Sequence, residues 1–416
     1  MFLINRWKSA CRVWFQSTFK FSKDADYFLL LQPLCNVLHL LGNPVRCVQE
    51  LGTVRGVMVL LCRFLFLLPY ISFANRMLWS NHSSDAANII MSFGTFLLYT
   101  LIMIRFWLLN HYDREMCAIR FFFKDRTYQE ESDWVHRMRA GNYRRWNWII
   151  SIIYLLKLIN LLIFILTNSH NTEYHFHYRG EVVGPLYVQI VVQFFTVYLG
   201  VGYFVSSCVM LVTLQLFRTE MQILTTTLRQ CADIEQRDLQ QQTTDVADAC
   251  EAFCRQFYVN VRRHIELLQA FTTFSKVLSP ISVLVYYGAL IIVTYPCLFV
   301  MHNQFSANTV PFLGYVLFVT IDTLLFCQSI DNLNELNTEV GYIVYSIYWP
   351  ATLQFADLGV STEILQSLRR SMLIVLQQTQ QPLRFGYGET GTLSMRSFGE
   401  LMQKIYSFIM FLTQFN

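Results

Sequence analysis

The chain has 416 residues, of which 54% are hydrophobic, 16% aromatic and only 14% charged. A soluble domain carries about 25% charged residues, so this composition indicates a protein that lies in a membrane. The formal net charge of +4 is small and no long basic run occurs. Nothing in the charge pattern therefore points to a nucleic-acid partner.

Apolar stretches long enough to cross a membrane recur along the chain. A spanning helix needs about 20 mostly apolar residues. An eighth apolar stretch, 28–42, is shorter and contains Pro33, so we expect a re-entrant or interfacial helix there. The sequence predicts seven crossings, with eight as the alternative. The seven are 54–74, 88–108, 147–167, 184–210, 275–300, 309–328 and 396–415.

Basic residues define the orientation of these seven helices. The connections on one side of the membrane hold 23 Lys and Arg residues, whereas those on the other side hold 2. Because basic residues accumulate on the cytoplasmic side, the N-terminus is predicted to be cytoplasmic and the C-terminus extracellular. The basic connections are 1–53, 109–146, 217–274 and 331–391.

The predicted extracellular connections carry one modification signal. Asn81 begins an Asn-His-Ser sequon, which favours N-glycosylation at that residue. None of the 11 cysteines falls in these connections, so no extracellular disulfide is expected.

The long connections in the second half read as helix that continues below the membrane. Residues 217–274 lack Pro and Gly. Residues 331–380 are interrupted at Pro350, and Pro382 ends the helical pattern just beyond them. Helices with one apolar face need a surface to pack on, which neighbouring subunits could supply. The turn FGYGETG at 385–391 precedes the last helix.

The last helix carries a polar stripe. Gln403, Ser407, Phe411 and Gln414 recur at helical spacing and share one face of an otherwise apolar helix. One interpretation is that these groups hydrogen-bond to neighbouring helices. The other is a water-filled pore with Phe411 as its constriction and Gln414 near the outer mouth. Several copies of the helix would be needed to enclose such a pore.

Aromatic residues are frequent in the outer halves of the predicted spans. Each residue alone is best explained by lipid contact or packing, but together they suit an apolar pocket for a small hydrophobic ligand. The set comprises Phe93, Phe96, Tyr187, Phe194, Phe195, Phe312, Tyr315 and Phe318; we favour Phe93, Phe96, Tyr187, Phe195, Tyr315 and Phe318 as ligand-binding residues.

Charged residues within spans are costly and are usually functional. Arg63 and Arg105 are expected to snorkel or to pair within the bundle. Asp322 is expected either to pair with Lys157 or to line a cavity. His170, His175 and His177 lie in one connection that is predicted to be extracellular, and His175 and His177 form an H-x-H pair. No Cys or well-spaced carboxylate completes a metal site, so we expect a solvated loop there, with no metal and no cofactor. No enzyme motif is present.

A G-protein-coupled receptor is the obvious comparison for seven helices. The HYDRE sequence supplies Asp113 and Arg114 after a span, but the last helix lacks an N-P-x-x-Y motif and the predicted orientation is inverted. The sequence therefore predicts that no G protein is required.

The C-terminal third resembles the insect odorant receptor family. The features that carry the resemblance occur in the family's order, and RRHIELLQAFTTFSKVLSP (262–280) is similar to its lead into the fifth span. They are Tyr345 with Trp349, Gln380 with Pro382, Leu393 with Ser394, Phe398, and Tyr406 with Ser407. The sister gustatory receptors remain an alternative, because Ser407-Phe408 and Gln414-Phe415 are similar to the pattern that ends those proteins.

The resemblance implies a ligand-gated, non-selective cation channel built as a tetramer. A tuned subunit such as this one would assemble with an odorant co-receptor and bind a small volatile ligand in the plasma membrane of sensory neurons. The fold implied is an all-α membrane protein with a cytoplasmic anchor. Residues 1–330 would form the N-terminal segment and a six-helix ligand-binding bundle, and 331–416 the anchor helices and pore helix. Phe411 matches the family's gate and Gln414 the polar residue beyond it.

Overall fold

The computed structural model describes most of the chain from residue 67 onward. The helical residues 67–79 are named α1 here. The described residues are 16, 18–22, 25–28, 67–79, 86–168, 175–179, 181–240, 246–303, 310–347, 362–383, 385–386 and 391–414. The further helices are α2 (Ala86–His111), α3 (Asp113–Lys124), α4 (Asp133–Asn168), α5 (Leu186–Gln240), α6 (Val246–Asn303), α7 (Val310–Ser346), α8 (Thr362–Thr379) and α9 (Met395–Thr413).

Helices α5 and α6 are much longer than a membrane is thick. They contain 55 and 58 residues, and at 1.5 Å per residue each extends over about 80 Å, against about 30 Å of hydrocarbon. The prediction that helix continues through 217–274 is therefore confirmed for the described part of that stretch. Helix α6 stays helical through Pro280 and Pro296.

Three helical stretches of the described chain are long and apolar enough to cross a membrane, judged by length and composition. They are Ser92–His111, Glu251–Leu298 and Leu313–Ser346, which contain or overlap the predicted spans 88–108, 275–300 and 309–328. The predicted stretch 28–42, the sequon at Asn81 and Arg63 lie outside the described residues.

Helix α7 occupies the centre of the bundle. It packs against α5, α6, α8 and α9, while α2 packs on α6 and α4 on α5. It also runs without a break through residue 330, so one helix joins the two predicted parts of the chain, 1–330 and 331–416.

A buried ion network ties three of these helices together below the predicted membrane region. Glu220 on α5 accepts hydrogen bonds from Arg139 Nε (2.8 Å) and Nη2 (3.0 Å), and from Arg263 Nη2 (2.9 Å). Burial disfavours the charged form of Glu220, but the two guanidinium groups outweigh burial and hold the pKa of this carboxyl below its ordinary value. Nearby, the Tyr128 hydroxyl donates to Asn260 Oδ1 at 2.6 Å.

A short antiparallel hairpin lies between α4 and α5, where the sequence predicts a solvated loop. His177–Tyr178 pairs with Glu181–Val182. The His177 ring is buried, its backbone N–H donates to Ser72 Oγ (3.0 Å), and Asn75 Nδ2 donates to its carbonyl oxygen (3.3 Å). Backbone groups of this segment thus hold the hairpin against α1.

Candidate pore helix and ligand pocket

Helix α9 packs on its neighbours with one side only. Leu401 and Ile405 are buried against the bundle, whereas Gln403, Ser407 and Gln414 are exposed and Phe411 is 52% exposed. At about 100° of rotation per residue, Ile405 lies about 160° around the helix from Ser407. The structure therefore places Gln403, Ser407 and Gln414 roughly opposite to the packed side of α9, and Phe411 about 100° around the helix from the middle of that side.

The start of α9 is held by hydrogen bonds from two directions. Ser394 and Ser397 cap it, since the Ser394 N–H donates to Ser397 Oγ (2.8 Å) and the Ser397 N–H donates to Ser394 Oγ (3.2 Å). Asp331 on α7 accepts the Met395 N–H at 2.7 Å. A carboxylate at this position satisfies a free N–H and complements the positive end of the helix dipole.

The predicted turn before α9 is present in its described residues. Gly386 and Thr392 form an antiparallel bridge, the Leu393 N–H donates to the Phe385 carbonyl (3.0 Å), and Phe385 is fully buried. The turn thus fixes where α9 begins relative to α7 and α6.

A lysine on α9 is directed away from the polar stripe. Lys404 Nζ donates to the Tyr286 hydroxyl on α6 at 3.2 Å. Lys404 neighbours Gln403 in sequence, so its ammonium group would otherwise lie close to the predicted ion path. The contact with Tyr286 holds that charge at the α9–α6 boundary.

Two of the predicted ligand-binding aromatics meet inside the bundle. Tyr315 and Phe318, both on α7, pack edge-to-face on Phe204 of α5 with centroid distances of 5.2 and 6.0 Å. Phe96 lies apart from them and stacks on Tyr70 of α1 at 5.4 Å. The structure therefore gives a central aromatic group on α5 and α7 and a second pair on α1 and α2.

The other predicted ligand-binding residues are not brought into this group. Phe93 is 52% exposed and Tyr187 is 69% exposed, so both lie on the outer surface of the isolated chain. Phe195 belongs to α5, but its side chain lies outside the part that the structure describes.

The buried charges of the predicted spans lie around the central aromatic group. Lys157 Nζ is 2.9 Å from the centroid of the Phe204 ring and 3.4 Å from that of Phe318. Arg105 on α2 lies over the Tyr203 ring, with 4.6 Å from its Cζ to the centroid. Both cations are thus held against aromatic faces, which are the negative parts of the ring quadrupole.

Asp322 lies within electrostatic range of Arg105 and Lys157, but no ion pair joins it to Lys157 in the described structure.

The sequence predicted the three charges and the two α7 aromatics of this group, but not Tyr203 and Phe204. The sequence signal for these two residues was that they form an adjacent aromatic pair in the fourth predicted span. The same sequence also has two cations, Arg105 and Lys157, within predicted spans, and buried cations need partners.

Comparisons with known proteins agree with this architecture. Residues 85–406 match a family model described as 7tm Odorant receptor. The solved structure of the insect olfactory receptor OR5 from Machilis hrabei aligns with 94% of this chain and 100% of its own, at 10% identity and a TM-score of 0.66. The same receptor in complex with eugenol aligns over the same shares, at 12% identity and a TM-score of 0.67. No curated protein sequence gave a match.

At 10–12% identity the structural likeness shows the fold, and the family model supplies the sequence evidence. That model extends over most of the chain, from the start of α2 to residue 406 within α9. The chain belongs to the odorant receptor family.

Proposed function

We propose that this chain is the ligand-tuned subunit of an odorant-gated, non-selective cation channel in the plasma membrane of sensory neurons. The observation that carries the proposal is the arrangement of α9, which packs through Leu401 and Ile405 and exposes its polar stripe on the opposite side. A lone helix in lipid gains nothing by exposing such groups. Several copies around a symmetry axis would turn the stripe into the wall of an aqueous path.

The proposed orientation follows from the distribution of basic residues. With seven crossings and a cytoplasmic N-terminus, α9 runs from the cytoplasmic side to the extracellular side. Phe411 then forms the hydrophobic constriction and Gln414 the polar ring beyond it. The lower parts of α5 and α6, with α7 and α8, form the anchor that joins subunits, and the 1–330 part contains the ligand-binding bundle.

The ligand in this proposal is a small volatile molecule bound among the aromatics of the bundle. The odorant receptor family and the eugenol complex of the OR5 receptor support a ligand of this size and apolar character. A ligand opens a channel only by favouring its open state. Substitutions among the bundle aromatics should therefore move the dose–response curve and leave ion permeation unchanged.

The proposed partners are an odorant co-receptor subunit in a heterotetramer and the surrounding membrane lipid. No G protein, nucleic acid or cofactor is required for this mechanism. Asn81, in a connection predicted to be extracellular, is the proposed glycosylation site.

Recording from cells that express this chain with a co-receptor tests the pore assignment. Phe411→Ala removes the proposed constriction and is expected to raise the current in the absence of odorant, and Gln414→Ala is expected to change the relative permeability of cations. Phe408→Ala is the matched control, because Phe408 is exposed but lies about 60° farther around α9 than Phe411. If both pore variants conduct and gate as the wild type does, the pore assignment is wrong.

Two alternatives predict different results. A gustatory-type homotetramer, which Ser407-Phe408 and Gln414-Phe415 favour, would give robust ligand-gated current from this chain without a co-receptor. A metabotropic seven-helix receptor would have a cytoplasmic C-terminus, which an antibody against a C-terminal tag detects only after the cells are permeabilised.

A further inference from the structure

The centre of the bundle contains more hydrogen-bond donors than acceptors. Arg105 is 1% exposed and Lys157 is 7% exposed. No acceptor among the described residues meets the guanidinium nitrogens of Arg105 or Lys157 Nζ in full hydrogen-bond geometry, although Arg105 interacts with Tyr203 and Asp322. The hydroxyl of Tyr315 is buried and unpartnered in the same way.

These donors converge on one region. The Tyr315 ring centroid lies 6.0 Å from Lys157 Nζ and 5.2 Å from the Phe204 centroid, and Tyr315 interacts electrostatically with Arg105 and Asp322. Lys157 is the midpoint of the predicted span 147–167, eleven residues before the end of α4, or about 16 Å along the helix. The group therefore lies near the middle of the membrane.

The chain itself supplies too little acceptor capacity there. Asp322 is the one carboxylate that interacts with both Arg105 and Lys157 in the described structure, so a single carboxylate faces the donors of three side chains. Aromatic faces hold Arg105 and Lys157 in place, but an aromatic face is not a conventional hydrogen-bond acceptor. The five donor atoms, three on Arg105 and one each on Lys157 and Tyr315, therefore need other acceptors. Leaving buried donors unpaired is costly, and more so when they are charged.

We propose that the ligand of this receptor carries a hydrogen-bond-accepting head group, a carboxylate or an ester carbonyl, that binds to Arg105, Lys157 and Tyr315, with its apolar remainder against Phe204 and Phe318. A carboxylate fits best, because its two oxygens can accept two bonds from a guanidinium group. The inference rests on the proposed function in that it takes this region as the odorant site.

Matched ligand series test the proposal. Hexanoate, methyl hexanoate and hexane form one series; benzoate, methyl benzoate and toluene form another. The expected result is that the acid or ester of a series raises the melting temperature of the purified complex at a concentration at least about tenfold below that of the hydrocarbon. A site built to hydrogen-bond its ligand rejects analogues that lack the bonding group.

Two substitutions assign the effect to these side chains. Lys157→Met is expected to remove the preference for acid and ester, about tenfold, and to leave hydrocarbon binding unchanged. Tyr315→Phe removes one hydroxyl and is expected to weaken the acid and ester by a smaller factor. Lys124→Met is the control, because Lys124 is an exposed lysine on α3, outside the cluster.

The proposal is overturned if the hydrocarbon binds as tightly as the acid and ester, if Lys157→Met weakens all members equally, or if no member changes the melting temperature. Binding without odorant-evoked current is a different outcome. It would leave the head-group preference standing and reject the channel function.

Discussion

Lys157 is a buried ammonium group at the midpoint of a predicted membrane span, so the free energy of its burial needs an explanation. A desolvated cation–π contact contributes about 2 kcal/mol, whereas taking an ammonium group out of water costs several kcal/mol. Its contacts with Phe204 and Phe318 therefore offset only part of the cost of burial. This incomplete compensation supports the ligand-binding role proposed above for Lys157.

The charge of Lys157 could be predicted from the sequence, but its aromatic partners could not. The composition of the spans identifies Lys157, Arg105 and Asp322 as charges in lipid, because each interrupts an apolar run. Which ring each cation meets depends on the rotation of α5 about its axis. Helical periodicity is weak in a span that is apolar all round, so Tyr203 and Phe204 could not be chosen over Tyr187 and Phe195.

Gly94 on α2 gives a residue-scale prediction. A Cβ atom at this position would overlap the ring of Tyr295 on α6, whose hydroxyl lies 3.3 Å from Thr95 Oγ1. Gly94→Ala is therefore expected to destabilise the protein by about 1–3 kcal/mol, as overpacking does. The measurement is the melting temperature of the purified protein in detergent.

Gly141→Ala is the control for Gly94→Ala. A Cβ at Gly141, in the interior of α4, meets nothing within 4 Å, so alanine should stabilise the helix by about 0.5–1 kcal/mol. The two substitutions are expected to have opposite signs. An increase in melting temperature for Gly94→Ala would show that α2 and α6 approach each other less closely than the structure indicates.

At the scale of the element, α9 is attached at its start and along one side. Ser394, Ser397 and Asp331 fix its first turn, and Leu401 and Ile405 fix its packed side. The rest of the helix exposes apolar and polar groups alike. Such an attachment allows the outer end of α9 to shift when its neighbours move, which suits a helix proposed to gate a pore.

Much of this element could be predicted from sequence. The spacing of Gln403, Ser407, Phe411 and Gln414 placed them on one face, and the Gly-containing turn placed the start of the helix. The bond from Met395 to Asp331 could not be predicted, because the two residues are 64 positions apart and belong to different helices. Local patterns carry no information about such pairs.

Asp331 gives the element-scale prediction. Asp331→Ala leaves the Met395 N–H without its acceptor and removes a negative charge from the helix start, at a cost of about 1 kcal/mol. We expect the odorant dose–response curve to shift, because the position of α9 is less restrained, with cation selectivity unchanged. Asp331→Asn keeps an acceptor oxygen and should shift the curve less. Glu335→Ala, an exposed acid one turn along α7, should not shift it; equal shifts in Glu335→Ala and Asp331→Ala would reject a capping role.

At the scale of the whole molecule, α5 and α6 are continuous helices of 55 and 58 residues, longer than a membrane is thick. The lack of Pro and Gly in 217–274 predicted their continuity. What joins them could not be predicted, since Arg139 and Arg263 lie 81 and 43 residues from Glu220. Salt bridges between distant segments depend on helix rotation and register, which the composition of each segment leaves open.

Burial on all sides makes this ion network sensitive to the loss of any member. Glu220→Gln would leave the buried Arg139 without a carboxylate and Arg263 with Glu266 alone, and breaking a buried pair in this way costs about 3–5 kcal/mol. The matched control is Glu251→Gln, which removes the exposed pair with Arg255 one turn away and should cost less than about 0.5 kcal/mol. Melting temperatures at neutral pH measure both.

The network also predicts the direction of the acid response. The pKa of Glu220 is lowered in the folded protein, so its stabilising effect is complete above the ordinary carboxyl range near pH 4.5 and is lost as the pH falls through the lowered pKa. The wild type should therefore lose more melting temperature than Glu220→Gln between pH 5 and pH 3. Parallel curves for the two proteins would mean that Glu220 has the same pKa in both states, and the proposed link between α4, α5 and α6 through its charge would be wrong.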